Sequence, residues 1–215
     1  MSKPITVVVI DDHVLFRSGL RKLLEEEEEV RVVGEASTAE SGLELIQRQA
    51  PDVAIVDLGL PRMSGHDAIR QITTTAPGTQ VLVLTISANE VDVIDAVLAG
   101  ACGYLLKDAL VGDIVSGVRA AASGDSMVSP RMARTLLEQL RKRDNGDTGP
   151  PVEKLSAREK EVLRLVVEGK DNAEIAQELF ISPYTVKNHI SNILLKLHVE
   201  NRLQAAVCAV RDSLV

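Results

Sequence analysis

Tryptophan is absent from this chain of 215 residues, and its aromatic side chains are only Phe16, Tyr104, Phe180 and Tyr184. With 45% of residues hydrophobic, a sizeable core is available and it must be aliphatic. Cysteine is equally scarce. Cys102 and Cys208 are too few and too far apart for a disulfide framework or a thiolate metal site, and each lies in an apolar stretch, so both are expected to be buried packing residues. The four histidines show no ligand spacing; His189 and His198 do not repeat at i, i+4, and no histidine-built metal site is expected. No apolar run approaches the ~20 residues needed to cross a bilayer, and no charged segment followed by an apolar stretch opens the chain. A soluble, cytoplasmic protein with no membrane partner is the resulting expectation.

Acidity is unevenly spread. The whole chain has 24 Lys and Arg against 31 Asp and Glu, a net charge of −7 that argues against a polyanionic partner. Residues 152 to 215, however, carry nine of each sign, so the excess of acid lies entirely in the N-terminal part.

That part is organised around Val53 to Gly65, where four apolar residues end on a single acid, Asp57, and Gly, Pro and Ser then force the chain to turn. Such a run is a strand buried on both faces, with Asp57 at its carboxyl end. Three further apolar runs stop alike: Thr6 to Ile10 on Asp11 and Asp12, Val81 to Leu84 on Thr85, and Tyr104 to Leu106 on Lys107. In a parallel sheet all four ends share the edge where open α/β sheets bind ligands. Three carboxylates, a hydroxyl and an ammonium then converge.

Between these strands lie helical patterns: His13 to Glu27 with Leu15, Leu20, Leu23 and Leu24 on one side; a helix opened by a Ser37–Glu40 capping box and burying Leu43, Leu45 and Ile46; and helices from Ser64, from about Glu90, and from Leu110 to Ser123. With a further strand at Val30 to Ala36, five βα units make a doubly wound, parallel five-stranded α/β sheet with helices on both faces. The acid run Glu25 to Glu29 sits where the helix macrodipole disfavours it, so the last turn of the first helix should fray into a solvated surface.

Ser129 and Pro130 start a further helix, carrying Met132, Leu136, Leu137 and Leu140 and ending at Arg141, Lys142 and Arg143. Asp144 to Pro151 is polar and full of breakers, as linkers are. The expected division is 1–128 for the α/β domain, 129–151 for linker helix and linker, and 152–215 for a small all-α domain of four helices.

In that last part Ser156 and Glu159 form one capping box and Asp171 and Glu174 a second, with Gly169 as the intervening stop. Ser182 and Pro183 open a third helix running to about Leu197, and Asn201 opens a fourth. The second and third helices have helix-turn-helix spacing. The third contains Lys187 and Lys196 and no acid; it turns Tyr184, Lys187, Asn188 and Ser191 outward and Val186, Ile190, Ile193 and Leu194 inward. A cationic, amide-rich outer face suits a DNA major groove, and a four-helix module that binds protein is the alternative.

Asp11-Asp12-His13, the Asp57 strand with Leu60-Pro61 and Met63-Ser64-Gly65, Thr85, and Gly103 to Asp108 resemble the flavodoxin-like receiver domain of a two-component response regulator. Leu155 to Glu159, Glu174-Ile175-Ala176 and Thr185 to His189 resemble the LuxR-type helix-turn-helix, and the ordered set is similar to the NarL/FixJ family. The resemblance implies a phosphorylation-controlled transcriptional regulator rather than an enzyme. Asp57 would accept a phosphoryl group from a sensor histidine kinase, with Mg²⁺ held by Asp12, Asp57 and the carbonyl of Gly59 and with Asp11 acting through water. A hard cation is also what the crowded acids require on physical grounds. Lys107, Thr85 and Tyr104 would form the phosphoryl-binding and switch group. Tyr184, Thr185, Lys187, Asn188 and Ser191 would contact promoter DNA, a homodimer would form with Ala206, Val207 and Val210 as the dimer helix, and RNA polymerase is a further candidate partner.

Three positions depart from the family pattern. Ile86 is bulky beside Thr85, which should slow donor access; Ala173 and Ser191 replace cations of relatives, which should weaken each monomer on DNA and make dimerisation more important. Two other classes fit less well. The haloacid-dehalogenase hydrolases want a second acid two residues after the nucleophile, where this chain has Gly59, and dinucleotide-binding enzymes want a glycine-rich turn where it has Asp11-Asp12-His13-Val14.

Overall fold

A computed structural model describes residues 3–87, 89–128, 155–199, 201–212 and 214–215. Its contacts divide the chain into two compact units, 1–129 and 130–215. The helix expected from Ser129 and the linker 144–151 lie outside the described residues.

The first unit holds β1 (Ile5–Ile10), β2 (Val30–Ala36), β3 (Val53–Val56), β4 (Gln80–Thr85), β5 (Gly103–Leu106) and β6 (Met127–Val128), all parallel, in the order β2-β1-β3-β4-β5-β6. Between them run α1 (Val14–Glu25), α2 (Ala39–Gln49), α3 (Gly65–Thr75), α4 (Glu90–Leu98) and α5 (Val111–Ser123). The expected five strands form the body of the sheet, and the two residues of β6 extend its β5 edge. Every residue of β3 is buried, because helices cover both faces of a parallel sheet.

Register then fixes the functional edge. Ile10 pairs with Val56, Val56 with Val83, and Thr85 with Leu106. Asp11, Asp57 and Lys107, each one residue past a paired rung, therefore leave the sheet side by side.

Three local expectations need correction. Leu15 is 90% exposed. Nine residues separate it from buried Leu24, about two and a half turns, so it points the opposite way. The N-cap of α2 is Thr38, not Ser37: Thr38 Oγ1 accepts from the Ser41 amide at 3.3 Å, which puts Glu40 one position too early for a capping box. Helix α1 stops at Glu25, and Glu27 and Glu29 are not merely solvated, since both pair with Arg119 of α5.

The second unit contains α6 (Ala157–Val167), α7 (Asn172–Leu179), α8 (Pro183–Leu197) and α9 (Arg202–Arg211). Both capping boxes form, Ser182 caps α8 with Pro183 at its first position, and Asn201 caps α9. Val162, Leu163, Ile175, Val186, Ile190 and Ile193 lie at the centre of an aliphatic core. Phe180 ends α7 as its cap in the left-handed conformation, φ 54°, and the Ile181 amide closes the turn on the Ala176 carbonyl at 3.0 Å.

Glu159 does more than cap. Buried to 4% exposure, its carboxylate accepts from the Ser156 amide at 2.6 Å and from Lys196 Nζ at 2.9 and 2.7 Å, tying the start of α6 to the end of α8. Burial pushes the carboxyl up, but Lys196 and the Ser156 amide and hydroxyl outweigh it, and the group lies at about 2 against an ordinary 4.5. A depressed folded value stabilises above the unfolded value and loses that contribution as pH falls toward 2. Glu159→Gln should therefore destabilise the helical unit by about 3 kcal/mol at neutral pH, with the deficit shrinking between pH 4.5 and 2. Urea unfolding followed at the amide resonances of residues 157–197 measures it.

Candidate functional site

At the carboxyl edge of the sheet the backbone continues the strand ladder for one more step. The Asp11 amide donates to the Ala36 carbonyl at 3.0 Å and the Asp57 amide to the Ile10 carbonyl at 2.9 Å. Both carboxylates are nearly sealed from solvent, with side chains 4% and 2% exposed. Lys107 reaches between them, its Nζ 2.7 Å from Asp11 Oδ2 and 2.7 Å from Asp57 Oδ2. Burial alone would lower the lysine; the hydrogen bonds from Asp11 and Asp57 overcome it and hold the group above its ordinary value, fully charged. The ammonium also lies 4.7 Å from the centroid of the Phe16 ring, whose π face favours a cation.

The loop after Asp57 is pinned. A Cβ on Gly65 would lie 2.5 Å from Leu58 Cα and 2.6 Å from the Asp57 carbonyl oxygen, so α3 starts this close to the acid only because residue 65 is glycine. The Gly59 amide donates to Asp57 Oδ1 at 3.3 Å. Thr85 is buried at the end of β4, its carbonyl accepting from the Lys107 amide at 2.8 Å and its hydroxyl from the Ser87 amide at 3.4 Å. Tyr104 points inward. Its hydroxyl donates to the Ser87 carbonyl at 2.9 Å, and burial, with the charge of Asp92, pushes the phenol up to about 12.

Asp12 is the more open acid, its side chain 36% exposed, yet its Oδ1 atom is buried and makes no hydrogen bond. One carboxylate oxygen each from Asp11, Asp12 and Asp57, with a ring nitrogen of His13, lie within 4.8 Å of one another. His13 reaches these carboxylates from its position beside Asp12 in the chain, a neighbourhood that spacing along a helix does not signal. Three acids facing one ammonium leave an excess of negative charge that a hard divalent cation with oxygen ligands would neutralise.

In the helical unit, α8 presents Tyr184, Lys187, Asn188 and Ser191 outward, and Tyr184 is 74% exposed. Val186, Ile190 and Ile193 are buried, and Leu194 is half-buried. Two residues of the expected contact set are already engaged. Thr185 is half-buried, its amide donating to Ser182 Oγ at 3.0 Å, and the Ser191 hydroxyl donates to the Lys187 carbonyl at 3.0 Å. Lys196 is committed to Glu159. Among the described residues, Lys187 and Asn188 keep their polar ends clear of bonds within the chain. In α9, Val207 is buried and Ala206 and Val210 are half-buried.

Residues 7–119 match the response regulator receiver domain, and residues 153–209 match the luxR family of bacterial regulatory proteins. The chain is 41% identical over 211 residues to the transcriptional regulatory protein LiaR of Bacillus subtilis, covering 98% of this chain and 99% of that protein. It belongs to the NarL/FixJ family of two-component response regulators. The nitrate/nitrite response regulator NarL of Escherichia coli is 35% identical, with 95% and 94% covered. A solved structure of the response regulator RcsB with DNA is 29% identical, with TM-score 0.59, 99% of this chain and 100% of that one covered. This response regulator thus joins a receiver domain to a LuxR-type DNA-binding domain, and it is a regulator of transcription.

Of the site residues, Asp11, Asp12, Asp57 and Lys107 meet in one cluster, while Thr85 and Tyr104 sit on neighbouring strands of the same edge. Phe16 was missed, since nothing in an aromatic on an amphipathic helix signals a lysine above its ring. Replacing Lys107 by Met should remove about 3 kcal/mol of receiver stability, because two buried carboxylates lose their counter-charge. Millimolar MgCl₂ should restore more stability to that variant than it adds to the parent; paired urea titrations with and without the salt give both quantities.

Proposed function

We propose that Asp57 is the phosphoacceptor, with a sensor histidine kinase as donor. The observation that carries this reading is the Asp57 carboxylate buried at the end of β3 with Lys107 Nζ 2.7 Å away and Asp11 and Asp12 beside it. Mg²⁺ fits the donor set: Asp12 Oδ1 is a buried acceptor without a hydrogen bond, and Asp11, Asp12 and Asp57 supply hard oxygens, joined in this reading by the Gly59 carbonyl. Bound there, the ion would neutralise the charge of the transferring phosphoryl group.

The residues of the chain do the rest. An Asp57 oxygen forms the new P–O bond as the P–N bond to the donor imidazole breaks, and Lys107 exchanges carboxylate contacts for phosphoryl oxygens. Thr85 offers its hydroxyl to the product, and Tyr104 packs inward behind it as the second part of the switch. Self-phosphorylation from small acyl phosphates and self-dephosphorylation use the same groups.

The added charge biases the equilibrium of the α/β unit toward a dimerising, DNA-binding form. Structures of RcsB dimers on DNA support the homodimer, in which the half-buried Ala206 and Val210 of α9 are the contact residues proposed, with Val207 buried behind them. In the same reading 1–128 is the receiver, 129–151 the linker and 152–215 the DNA-binding domain, acting on promoter DNA and RNA polymerase in the cytoplasm. Tyr184, Thr185, Lys187, Asn188 and Ser191 form the DNA face of α8, with Thr185 also serving its cap.

Asp57→Asn should retain the fold and lose Mg²⁺-dependent labelling by an acyl phosphate; continued labelling at another residue overturns the assignment.

On the DNA side, Lys187→Ala should weaken binding to all sequences alike and flatten the plot of log affinity against log salt by about one unit, as expected for a phosphate contact. Asn188→Ala should instead cost about 1 to 3 kcal/mol at the specific site alone and leave the salt slope unchanged, because an amide can pair with an adenine edge. Both are measured by fluorescence anisotropy at matched dimer concentration.

A further inference from the structure

We propose that His13 is a nitrogen ligand of the divalent-metal site, so that this receiver accepts nitrogen-binding transition-metal ions as well as Mg²⁺. The inference rests on the reading of Asp11, Asp12 and Asp57 as a metal site and extends it to a residue outside that set.

His13 caps α1 with extended backbone, φ −78° and ψ 97°, but its side chain makes no capping bond. Its amide instead donates to Asp11 Oδ1 at 2.8 Å, which fixes the residue against the acids. The ring turns the same way. Nδ1 lies 2.8 Å from Asp12 Oδ1, 3.3 Å from Asp11 Oδ1 and 3.9 Å from Asp57 Oδ2. Adjacent ligand atoms of an octahedral ion with bonds of about 2.1 Å stand about 3 Å apart, so the two shorter separations are those of neighbours in one coordination sphere.

The closest of these contacts is not a hydrogen bond. Nδ1 and Asp12 Oδ1 are within ion-pair distance at 2.8 Å, and Asp12 Oδ1 is buried without a hydrogen-bond partner. Two potential ligand atoms this close, with no hydrogen bond between them, suit a cation bound by both. The opposite flank is taken: Lys107 occupies Asp11 Oδ2 and Asp57 Oδ2 and leaves Asp11 Oδ1 on the side of His13. The imidazole is 59% exposed, so the cluster stays open for water and phosphoryl oxygens.

Ligand type then sets metal preference. Carboxylates and water suit Mg²⁺ and Mn²⁺, whereas an imidazole adds affinity for Ni²⁺ and Zn²⁺ and little for Mg²⁺. Losing one ligand should weaken Ni²⁺ and Zn²⁺ by about tenfold or more, as changes around metal-bound histidines do.

The test uses the full chain with Mn²⁺ as the probe. Pulsed electron paramagnetic resonance of bound Mn²⁺ should show imidazole nitrogen coupling in the parent, and His13→Gln should abolish it while Mn²⁺ stays bound. Isothermal titration should show a loss of about tenfold for Ni²⁺ in His13→Gln and far less for Mg²⁺. Asp12→Asn provides the separate arm, since it should weaken Mn²⁺, Ni²⁺ and Mg²⁺ together. If Asp12→Asn has that effect but the parent shows no nitrogen coupling, or the coupling survives His13→Gln, the role of His13 is overturned and the metal site stands. If Asp12→Asn leaves Mn²⁺ binding unchanged, the metal-site reading falls and this inference with it.

Discussion

A single ammonium shared by two buried carboxylates is the constraint on which the receiver depends. Asp11 and Asp57 have left water almost completely, and two bare negative charges that close would not survive burial without a counter-charge. Lys107 supplies it from the end of β5, two strands away from β3 in the sheet order and three from β1. The contact is possible only while β1, β3, β4 and β5 keep their parallel register, so the interaction both needs the fold and reports on it. The same balance makes the edge responsive. A charge placed on Asp57 competes directly for the ammonium, and Thr85 is joined to Lys107 through a backbone hydrogen bond.

The helical unit repeats this economy with different residues. Glu159 closes a capping box at the start of α6 and takes the ammonium of Lys196 from the last turn of α8. One buried carboxylate thus orients α8, the helix proposed to carry the DNA face, while the cation nearer the N-terminus of that helix, Lys187, stays exposed. A count of charges along α8 makes the two lysines equivalent; the packing makes one a structural tether and the other the cation available to a phosphate.

Local features on a short length scale were legible in the residues. Apolar runs that stop on Asp57, on Asp11 and Asp12, on Thr85 and on Lys107 are strands, because burial on both faces requires continuous hydrophobicity. Ser156, Asp171, Ser182 and Asn201 start helices because a side-chain oxygen must meet the free amides of a first turn. The errors are also local and have geometric causes. Leu15 shares the leucine-rich character of α1 but sits half a turn away from Leu24, and Thr38 displaces Ser37 as a cap because the pairing of β2 ends at Ala36.

Strand-helix alternation, the helix-turn-helix and the four strand ends on which the chemistry gathers are written in the residue order, since each follows from periodicity and capping within a few residues. Which of those groups touch is a matter of packing. The bridging of Asp11 and Asp57 by Lys107, the ring of Phe16 beneath that ammonium, the turn of His13 toward Asp12, and the capture of Lys196 by Glu159 join residues through rotamers and registers set by packing. Distances of 2.7 to 2.9 Å between side chains as far as 96 positions apart are properties of the folded sheet and bundle that no pattern along the chain encodes.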